Sequence, residues 1–178
     1  MLNQQASLPR HQKNLLLEGL DRSGKSTLAH LFAQIGYSVI HAQYNPHYDN
    51  IHQYYRELIL QAPEPVVFDR SFLAEMVYGP VLRGGSRLST QQIESLLECL
   101  AQKNIVVLYL YEPQEILTYR LHETIETHRF ILDHLPDLLI AYERCLQIVA
   151  RYLPIHTIRP SLLPKEHVVD FIVTLTSS

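Results

Sequence analysis

The ten residues from Glu18 to Thr27 read E-G-L-D-R-S-G-K-S-T. They contain the pattern G-x-x-x-x-G-K-[ST], and they lie between an apolar run at 15–17 and a segment with helical spacing at 28–35. A strand, this motif and a helix in that order are typical of a P-loop. Glycines at these positions let backbone N–H groups turn towards a phosphate, aided by the N-terminus of the helix that follows. The stretch therefore predicts a binding site for a nucleoside triphosphate.

The motif also assigns roles to its own side chains. Lys25 would reach the β- and γ-phosphates as a compact positive charge. The Ser26 hydroxyl is placed where it can bind Mg²⁺. The other motif positions predicted to line the nucleotide are Gly19, Asp21, Ser23, Gly24 and Thr27. The cofactors expected for this chain are accordingly ATP and Mg²⁺.

Composition and charge narrow the classes of protein that fit. Of the 178 residues, 47% are hydrophobic and 19% are charged, and the net charge is −3 with neutral histidines. A globular domain of this length can bury a substantial core. The acidic balance provides no overall basic field to hold a long nucleic acid, although a local basic groove is compatible with it.

Membrane, secretion and zinc-binding classes are not favoured. Apolar runs are too short to span a bilayer, and the N-terminus is polar, which predicts a cytoplasmic protein. Cys99 and Cys145 have a spacing that fits no metal or redox motif, so we expect buried thiols. The ten histidines include no H-x-x-x-H pair, and a zinc site is therefore not expected.

Short apolar runs alternate with helical patterns along the chain. We predict a flexible arm at 1–13 and a single domain at 14–178. The predicted strands are 15–17, 37–41, 66–68, 105–110 and 154–159. The helix that begins at Ser71 is expected to end before Gly79-Pro80, and 122–128 is expected to be a mobile connection. Five strands alternating with helices predict an α/β fold of three layers, with a mainly parallel sheet flanked by helices.

An acidic residue follows the third predicted strand. The carboxyl end of a buried strand faces the crevice in which α/β folds bind ligands. Asp69 is therefore predicted to hold Mg²⁺ through water or to take the proton of an acceptor hydroxyl, and the alternative is a cap on the next helix. A basic glycine-rich stretch, 83–87, would suit either an anion or a solvated turn.

Two motifs carry a resemblance to a known family. The P-loop resembles that of thymidylate kinases, whose eukaryotic and viral members favour Asp-Arg where this chain has Asp21 and Arg22. The stretch D-R-S-F-L-A-E-M-V-Y at 69–78 is similar to the second signature of that family, and the C-terminal P-I-H-T-I-R-P and K-E-H-V-V segments resemble its C-terminal end. Related deoxynucleoside kinases share this layout. The chain also resembles the short thymidylate-kinase-like proteins that phages encode.

The resemblance implies a nucleoside-monophosphate-kinase-like fold, a role in nucleotide biosynthesis, and a homodimer. It implies that Asp21 contacts the deoxyribose 3′-hydroxyl, that Arg22 clamps the transferring phosphate, and that Arg70 holds the phosphate of the acceptor. It also implies that Asp69 organises Mg²⁺. The catalytic residues expected are thus Arg22, Lys25, Asp69 and Arg70.

A lid over ATP is also implied, at about 120–130. Arg120 and Arg129 would flank it, and the alternative is that these arginines only solvate helix ends. On the acceptor side, Ala42–Val67 is shorter than the matching stretch of thymidylate kinases. Arg56 and Tyr78 are the substrate-binding residues predicted there.

Three functions follow as hypotheses. The leading one is transfer of phosphate from ATP to a dTMP-type monophosphate, which gives the diphosphate. A second is a deoxynucleoside kinase, or a kinase that acts on a hydroxymethyl pyrimidine in DNA. A third, from another class, is a P-loop ATPase or switch without a small-molecule acceptor.

Overall fold

Five parallel strands form the central sheet. A computed structural model describes residues 13–42, 49–163 and 168–176, without the side chains of 125–127 and 176. The strands are β1 Asn14–Glu18, β2 Ser38–His41, β3 Val66–Asp69, β4 Ile105–Leu110 and β5 Ile155–Ile158. They lie in the order β2-β3-β1-β4-β5, and every pairing is parallel. The predicted three-layer α/β fold is confirmed.

Helices cover both faces of this sheet. They are α1 Lys25–Gln34, α2 Ile51–Leu60, α3 Leu73–Arg83, α4 Thr90–Gln102, α5 Gln114–His122, α6 Ile125–Asp133, α7 Leu135–Val149 and α8 Val168–Thr176, with a 3-10 turn at Pro160–Leu162. Side chains of β1 alternate between two apolar clusters. Leu16 packs with residues of α2, α3, α4 and α7, whereas Leu15 and Leu17 pack with residues of α1 and α8. Burial on both faces explains why the strand is a continuous apolar run.

The strand order places the functional loops at one edge. β1 lies between β3 and β4, and Leu17 is in register with Asp69. Chain connections from β1 and β3 therefore leave the sheet side by side and towards opposite faces. In open parallel sheets, ligands bind in the crevice at such a point.

Helix α3 corrects one prediction, because it does not end before Gly79-Pro80 but continues to Arg83. Pro80 lacks the N–H of one helical hydrogen bond, a loss on the order of 3 kcal/mol. The exposed ring of Pro80 avoids the core, while Leu73, Val77 and Tyr78 of the same helix are buried. The packing of the apolar side of α3 outweighs the free-energy cost of placing Pro80 in the helix.

The segment 122–128 corrects a second prediction. It is the end of α5 and the beginning of α6, joined by a turn at Glu123 and Thr124. Its polar sequence concealed this, because the apolar contact is made by Leu121, which is fully buried just before the turn.

Other expectations have mixed outcomes. Cys99 and Cys145 are buried and unpaired with each other, as predicted. Most of the arm at 1–13 and the start of the last helix at 164–167 lie outside the described residues. Within the described ranges, none of the helices has the length and apolar character required to cross a bilayer.

Candidate active site

The loop between β1 and α1 has an unusual backbone. Gly19, Arg22 and Gly24 have positive φ angles of 146°, 66° and 102°. A Cβ on Gly19 would lie 2.5 Å from the carbonyl oxygen of Leu110 at the end of β4. Only glycine fits this close approach. Arg70, directly after β3, also has a positive φ, of 73°. Non-glycine residues in this region are uncommon and are concentrated at functional sites, which singles out both arginines.

Lys25 is enclosed by the loop that precedes it. Its Nζ atom donates hydrogen bonds of 2.7 Å to the carbonyl oxygens of both Gly19 and Leu20, and the residue is 4% exposed. Burial and the neighbouring charge of Arg70 lower the pKa of Lys25 to about 8, against the opposing effect of nearby carboxylates. A buried ammonium group held by two carbonyls is available to bind phosphate oxygens at the same place.

Ser26 and Asp69, the two residues predicted to hold Mg²⁺, are in direct contact. Ser26 Oγ donates a hydrogen bond of 2.9 Å to Asp69 Oδ2, and His41 Nδ1 lies 3.1 Å from the same oxygen. Asp69 Oδ1 is buried and has no hydrogen-bond partner. A hydroxyl beside a carboxylate with an unpaired oxygen fits Mg²⁺, which prefers oxygen ligands. Asp69 does not cap α3, whose N-cap is Phe72.

Asp21, Arg70 and Tyr78 form a second cluster next to Lys25. Arg70 Nη2 donates to Asp21 Oδ1, and Tyr78 Oη donates to Asp21 Oδ2 at 3.2 Å. Burial by itself raises the pKa of Asp21, but the charges of Arg70 and Lys25 and these hydrogen bonds hold it below its ordinary value. Three residues predicted for the acceptor side are thus in contact with one another.

Glu18, the last residue of β1, is a further candidate that the sequence analysis missed. It is 1% exposed, and it accepts hydrogen bonds from Ser71 Oγ at 2.8 Å and Tyr142 Oη at 3.3 Å. Burial raises the pKa of Glu18 to about 7. The signal was present, because Glu18 ends a buried apolar strand as Asp69 does.

Arg120 contacts the backbone of the P-loop, whereas its predicted place at a lid over ATP stays a prediction. Its Nη1 atom donates to the carbonyl oxygen of Arg22 at 3.1 Å, and its Nη2 atom donates to Glu112 Oε1 at 3.4 Å. Glu112 is fully buried and was also missed. The Arg22 guanidinium is more exposed and lies 3.9 Å from the carboxylate of Glu123.

Two other predicted residues lie apart from this site. Arg56 is exposed on α2, and Arg129 is exposed on α6. The described part of the chain shows no contact of either side chain with the P-loop. Thr27 is exposed in the first turn of α1. Roles for these three residues stay predictions.

The basic stretch at 83–87 has a structural partner. Arg83 Nη2 and Arg87 Nη2 donate to the two carboxylate oxygens of Glu75 at 2.7 and 2.8 Å, and Glu75 is 2% exposed. A buried carboxylate thus compensates these two cations. This arrangement favours an ordered turn over the anion site that the sequence also allowed.

Comparison of the sequence with protein-family models and with curated proteins yields no match. Solved structures do match the chain. The YorR protein from Bacillus subtilis, in complex with phosphorylated GDP, has a TM-score of 0.76 and 18% identity over 93% of this chain and 96% of that one. Deoxyadenosine kinase from M. mycoides, with bound dCTP, has a TM-score of 0.60 and 16% identity over 93% and 100%.

Polyphosphate kinase 2 from Arthrobacter aurescens TC1 has a TM-score of 0.59 and 16% identity, over 84% of this chain and 62% of that one. Identities this low establish a shared fold only. This chain therefore has the fold of P-loop kinases.

Proposed function

We propose that this protein is an ATP-dependent kinase that phosphorylates a deoxynucleoside or a deoxynucleoside monophosphate. One observation carries the proposal: a P-loop with a buried Lys25 lies directly beside a polar cluster built from Asp21, Arg70 and Tyr78. A donor site next to an acceptor site is what phosphoryl transfer requires. The nucleotides in the YorR and deoxyadenosine kinase structures support a nucleotide ligand here.

On the donor side, the residues provide positive charge and backbone donors. Lys25 would exchange its carbonyl partners for oxygens of the β- and γ-phosphates. Arg22, which belongs to the P-loop itself, would place a second positive charge on the transferring group. Arg120 holds the backbone of Arg22.

Ser26 and, through water, Asp69 would hold Mg²⁺. When bound, the ion neutralises charge that develops on the phosphate oxygens. His41 contacts the same carboxylate oxygen of Asp69 as Ser26 does, and so fixes the orientation of that side chain.

In the proposed reaction, a bond forms between an acceptor oxygen and the γ-phosphorus. The bond between that phosphorus and the oxygen bridging to the β-phosphate breaks, and ADP leaves with the electron pair. A hydroxyl acceptor must also lose its proton, whereas a phosphate acceptor is already ionised. Glu18 is suited to take this proton, because burial raises its pKa close to neutrality.

Charge on the acceptor side bears on the choice between the two acceptors. Glu18 and Asp21 lie beside one guanidinium, that of Arg70, and Asp21 already pairs with it. A dianionic monophosphate would have to compete with Asp21 for Arg70. This balance favours the hydroxyl of a deoxynucleoside over the dTMP-type monophosphate that was the leading hypothesis from the sequence, and the resemblance to thymidylate kinases keeps the monophosphate as the second candidate.

The other hypotheses have less support. DNA as an acceptor is disfavoured by the net charge of −3, because non-specific affinity for DNA comes from cations that neutralise phosphates. An ATPase or switch would have no use for the Asp21, Arg70 and Tyr78 cluster.

We also propose a homodimer formed through α3 and α7. A groove of about 420 Å³ runs between these helices. Ile140 and Ile148 on its α7 side are 47% and 37% exposed. Asp137 and Arg144 lie on the same side of α7, about two turns apart. A two-fold contact of antiparallel α7 helices would pair Asp137 of one copy with Arg144 of the other. Substitution of Ile140 by Glu should give a monomer in sedimentation, and Phe171→Glu on α8 should not.

A kinase and an ATPase are separated by one experiment. The rate of ADP formation is measured with Mg·ATP alone and then with deoxynucleosides or their monophosphates. The proposal predicts that an acceptor raises the rate and is itself phosphorylated. Equal rates with and without every acceptor would contradict it.

We also propose that the protein acts in the cytoplasm. The buried, unpaired thiols of Cys99 and Cys145 are compatible with a reducing compartment.

A further inference from the structure

From the contacts around Glu112 we infer that this buried carboxylate is a positioning residue for the nucleotide site. It acts through Arg120, whose orientation against the P-loop it fixes. The inference rests on the proposed function, since it assumes that the P-loop holds a nucleotide during turnover.

Glu112 lies just beyond β4, and its side chain is completely buried. Its Oε1 atom accepts a hydrogen bond of 2.7 Å from the backbone N–H of Ser161 and one of 3.4 Å from Arg120 Nη2. A carboxylate withdrawn from water in this way requires charged or hydrogen-bonding partners. The ion pair therefore holds the guanidinium of Arg120 in place as well as the carboxylate of Glu112.

Arg120 extends this constraint to the P-loop. While Nη2 faces Glu112, Nη1 donates to the carbonyl oxygen of Arg22 at 3.1 Å. The guanidinium is planar, so two contacts made by different nitrogens set its orientation. Its backbone partner, Arg22, has a φ of 66°, a conformation that needs support from its surroundings. Glu112 thus stabilises the P-loop conformation indirectly, through Arg120.

A second arm of the same cluster reaches the P-loop from β5. Arg159 Nε lies 3.8 Å from Glu112 Oε2, and both atoms are buried without a hydrogen-bond partner. Pro160, between Arg159 and Ser161, covers Gly24, since a Cβ on Gly24 would lie 3.7 Å from Pro160 Cβ. Glu112 therefore links α5 and the turn after β5 to Arg22 and Gly24, two positions apart in the P-loop. The carboxylate of Glu112 thus holds α5 and the turn after β5 in place around the P-loop.

The test uses the substitution Glu112→Gln, which keeps an acceptor for Ser161 but removes the charge that orients Arg120. Affinity for a fluorescent ADP analogue with Mg²⁺ is measured by titration, and kcat and KM for ATP are measured separately. We expect nucleotide affinity and kcat/KM to fall by about 10- to 100-fold, the scale on which small misplacements act in active sites. Glu115→Gln, an exposed acid in the first turn of α5, is the matched control and should behave as the unmodified protein.

A double-mutant cycle decides whether Glu112 acts through Arg120. In an Arg120→Met background, we expect Glu112→Gln to cause a clearly smaller further loss than in the unmodified protein, since the part of its effect that acts through Arg120 is already gone. Equal losses in both backgrounds, or an unchanged affinity in the single variant, would overturn the inference. Arg120→Lys provides a second route if Glu112→Gln does not fold. Lysine keeps the charge but cannot span both partners, so normal affinity in that variant would also overturn it.

Failure of the proposed function would look different. A protein that binds the ADP analogue with these couplings but transfers phosphate to no acceptor would leave the role of Glu112 intact and refute the kinase. Phosphate transfer to an acceptor, together with a nucleotide affinity that Glu112→Gln does not change, would support the kinase and refute the role of Glu112.

Discussion

The hydroxyl of Ser26 lies 2.9 Å from the carboxylate oxygen Oδ2 of Asp69, although the two residues are 43 positions apart in the chain. Ser26 is the second residue of α1, and Asp69 is the last residue of β3. Because β3 pairs with β1, the carboxyl end of β3 and the loop that follows β1 lie at the same edge of the sheet. The same neighbourhood brings Arg70 to Asp21 and Ser71 to Glu18. The strand order thus places the P-loop beside the residues that we propose for the acceptor site.

Loss of the P-loop cation should abolish activity. Lys25→Ala removes the charge that the account assigns to the phosphates, and we expect no measurable turnover with an unchanged circular dichroism spectrum. Lys13→Ala, at an exposed lysine before β1, serves as the control. Near-normal turnover of Lys25→Ala would refute the assignment of the P-loop.

Loss of the arginine inside the P-loop should act on the chemical step. Arg22→Ala should lower kcat by on the order of 10³-fold while ATP affinity changes much less, if Arg22 stabilises charge in the transition state. Steady-state kinetics separate the two effects, with Arg151→Ala, an exposed arginine after α7, as control. An effect confined to KM would mean that Arg22 binds only the ground state.

The variant Glu18→Gln distinguishes the two classes of acceptor. If Glu18 takes the proton of a hydroxyl, this isosteric change should lower kcat for a deoxynucleoside by about 10²- to 10⁴-fold, the usual contribution of a general base. Turnover with a monophosphate, which has no proton to lose, should be much less affected. Rates measured with both acceptors test this, and equal losses would assign Glu18 a structural role.

The pH dependence of kcat/KM should follow the titration of Glu18 and Lys25. Burial raises the pKa of Glu18 to about 7 and lowers that of Lys25 to about 8. Glu18 works as a carboxylate and Lys25 as an ammonium ion, so kcat/KM should rise towards pH 7 and fall above pH 8. The apparent values belong to the interacting pair rather than to one residue. Glu18→Gln should remove the acidic limb for any acceptor that is still turned over, and an unaltered acidic limb would exclude Glu18 as its source.

Gly19 should be essential to the fold of the loop. Gly19→Ala places a Cβ 2.5 Å from Leu110 O at a φ of 146°. We expect a loss of about 2 kcal/mol in the free energy of unfolding, or roughly 4–8 °C in Tm for a domain of this size. Thermal unfolding measures the change. Gly85→Ala, where a Cβ would meet nothing within 4 Å, should be near neutral, and equal shifts in the two variants would contradict the assignment.

Residues in the P-loop and after β3 were predictable because local spacing and strand ends determine their position. The strand at Ile105–Leu110 has the bounds that its apolar pattern indicates. The contacts of Glu112 were not predictable, because they depend on how α5 and the turn after β5 fold against it: Arg120 is eight residues away on α5, and Ser161 is 49 residues away. The continuation of α3 through Pro80 was hidden for a similar reason, since tertiary packing overrides a local helix-breaking signal.

Transfer of radiolabelled γ-phosphate from Mg·ATP to a matched panel tests the central claim most directly. The panel contains deoxynucleosides, their 5′-monophosphates, and plain and hydroxymethylated DNA. We expect label in a nucleotide product, with a deoxynucleoside as the favoured acceptor and a dTMP-type monophosphate as the second candidate. Label that appears only in DNA, or only in inorganic phosphate whatever acceptor is present, would contradict it.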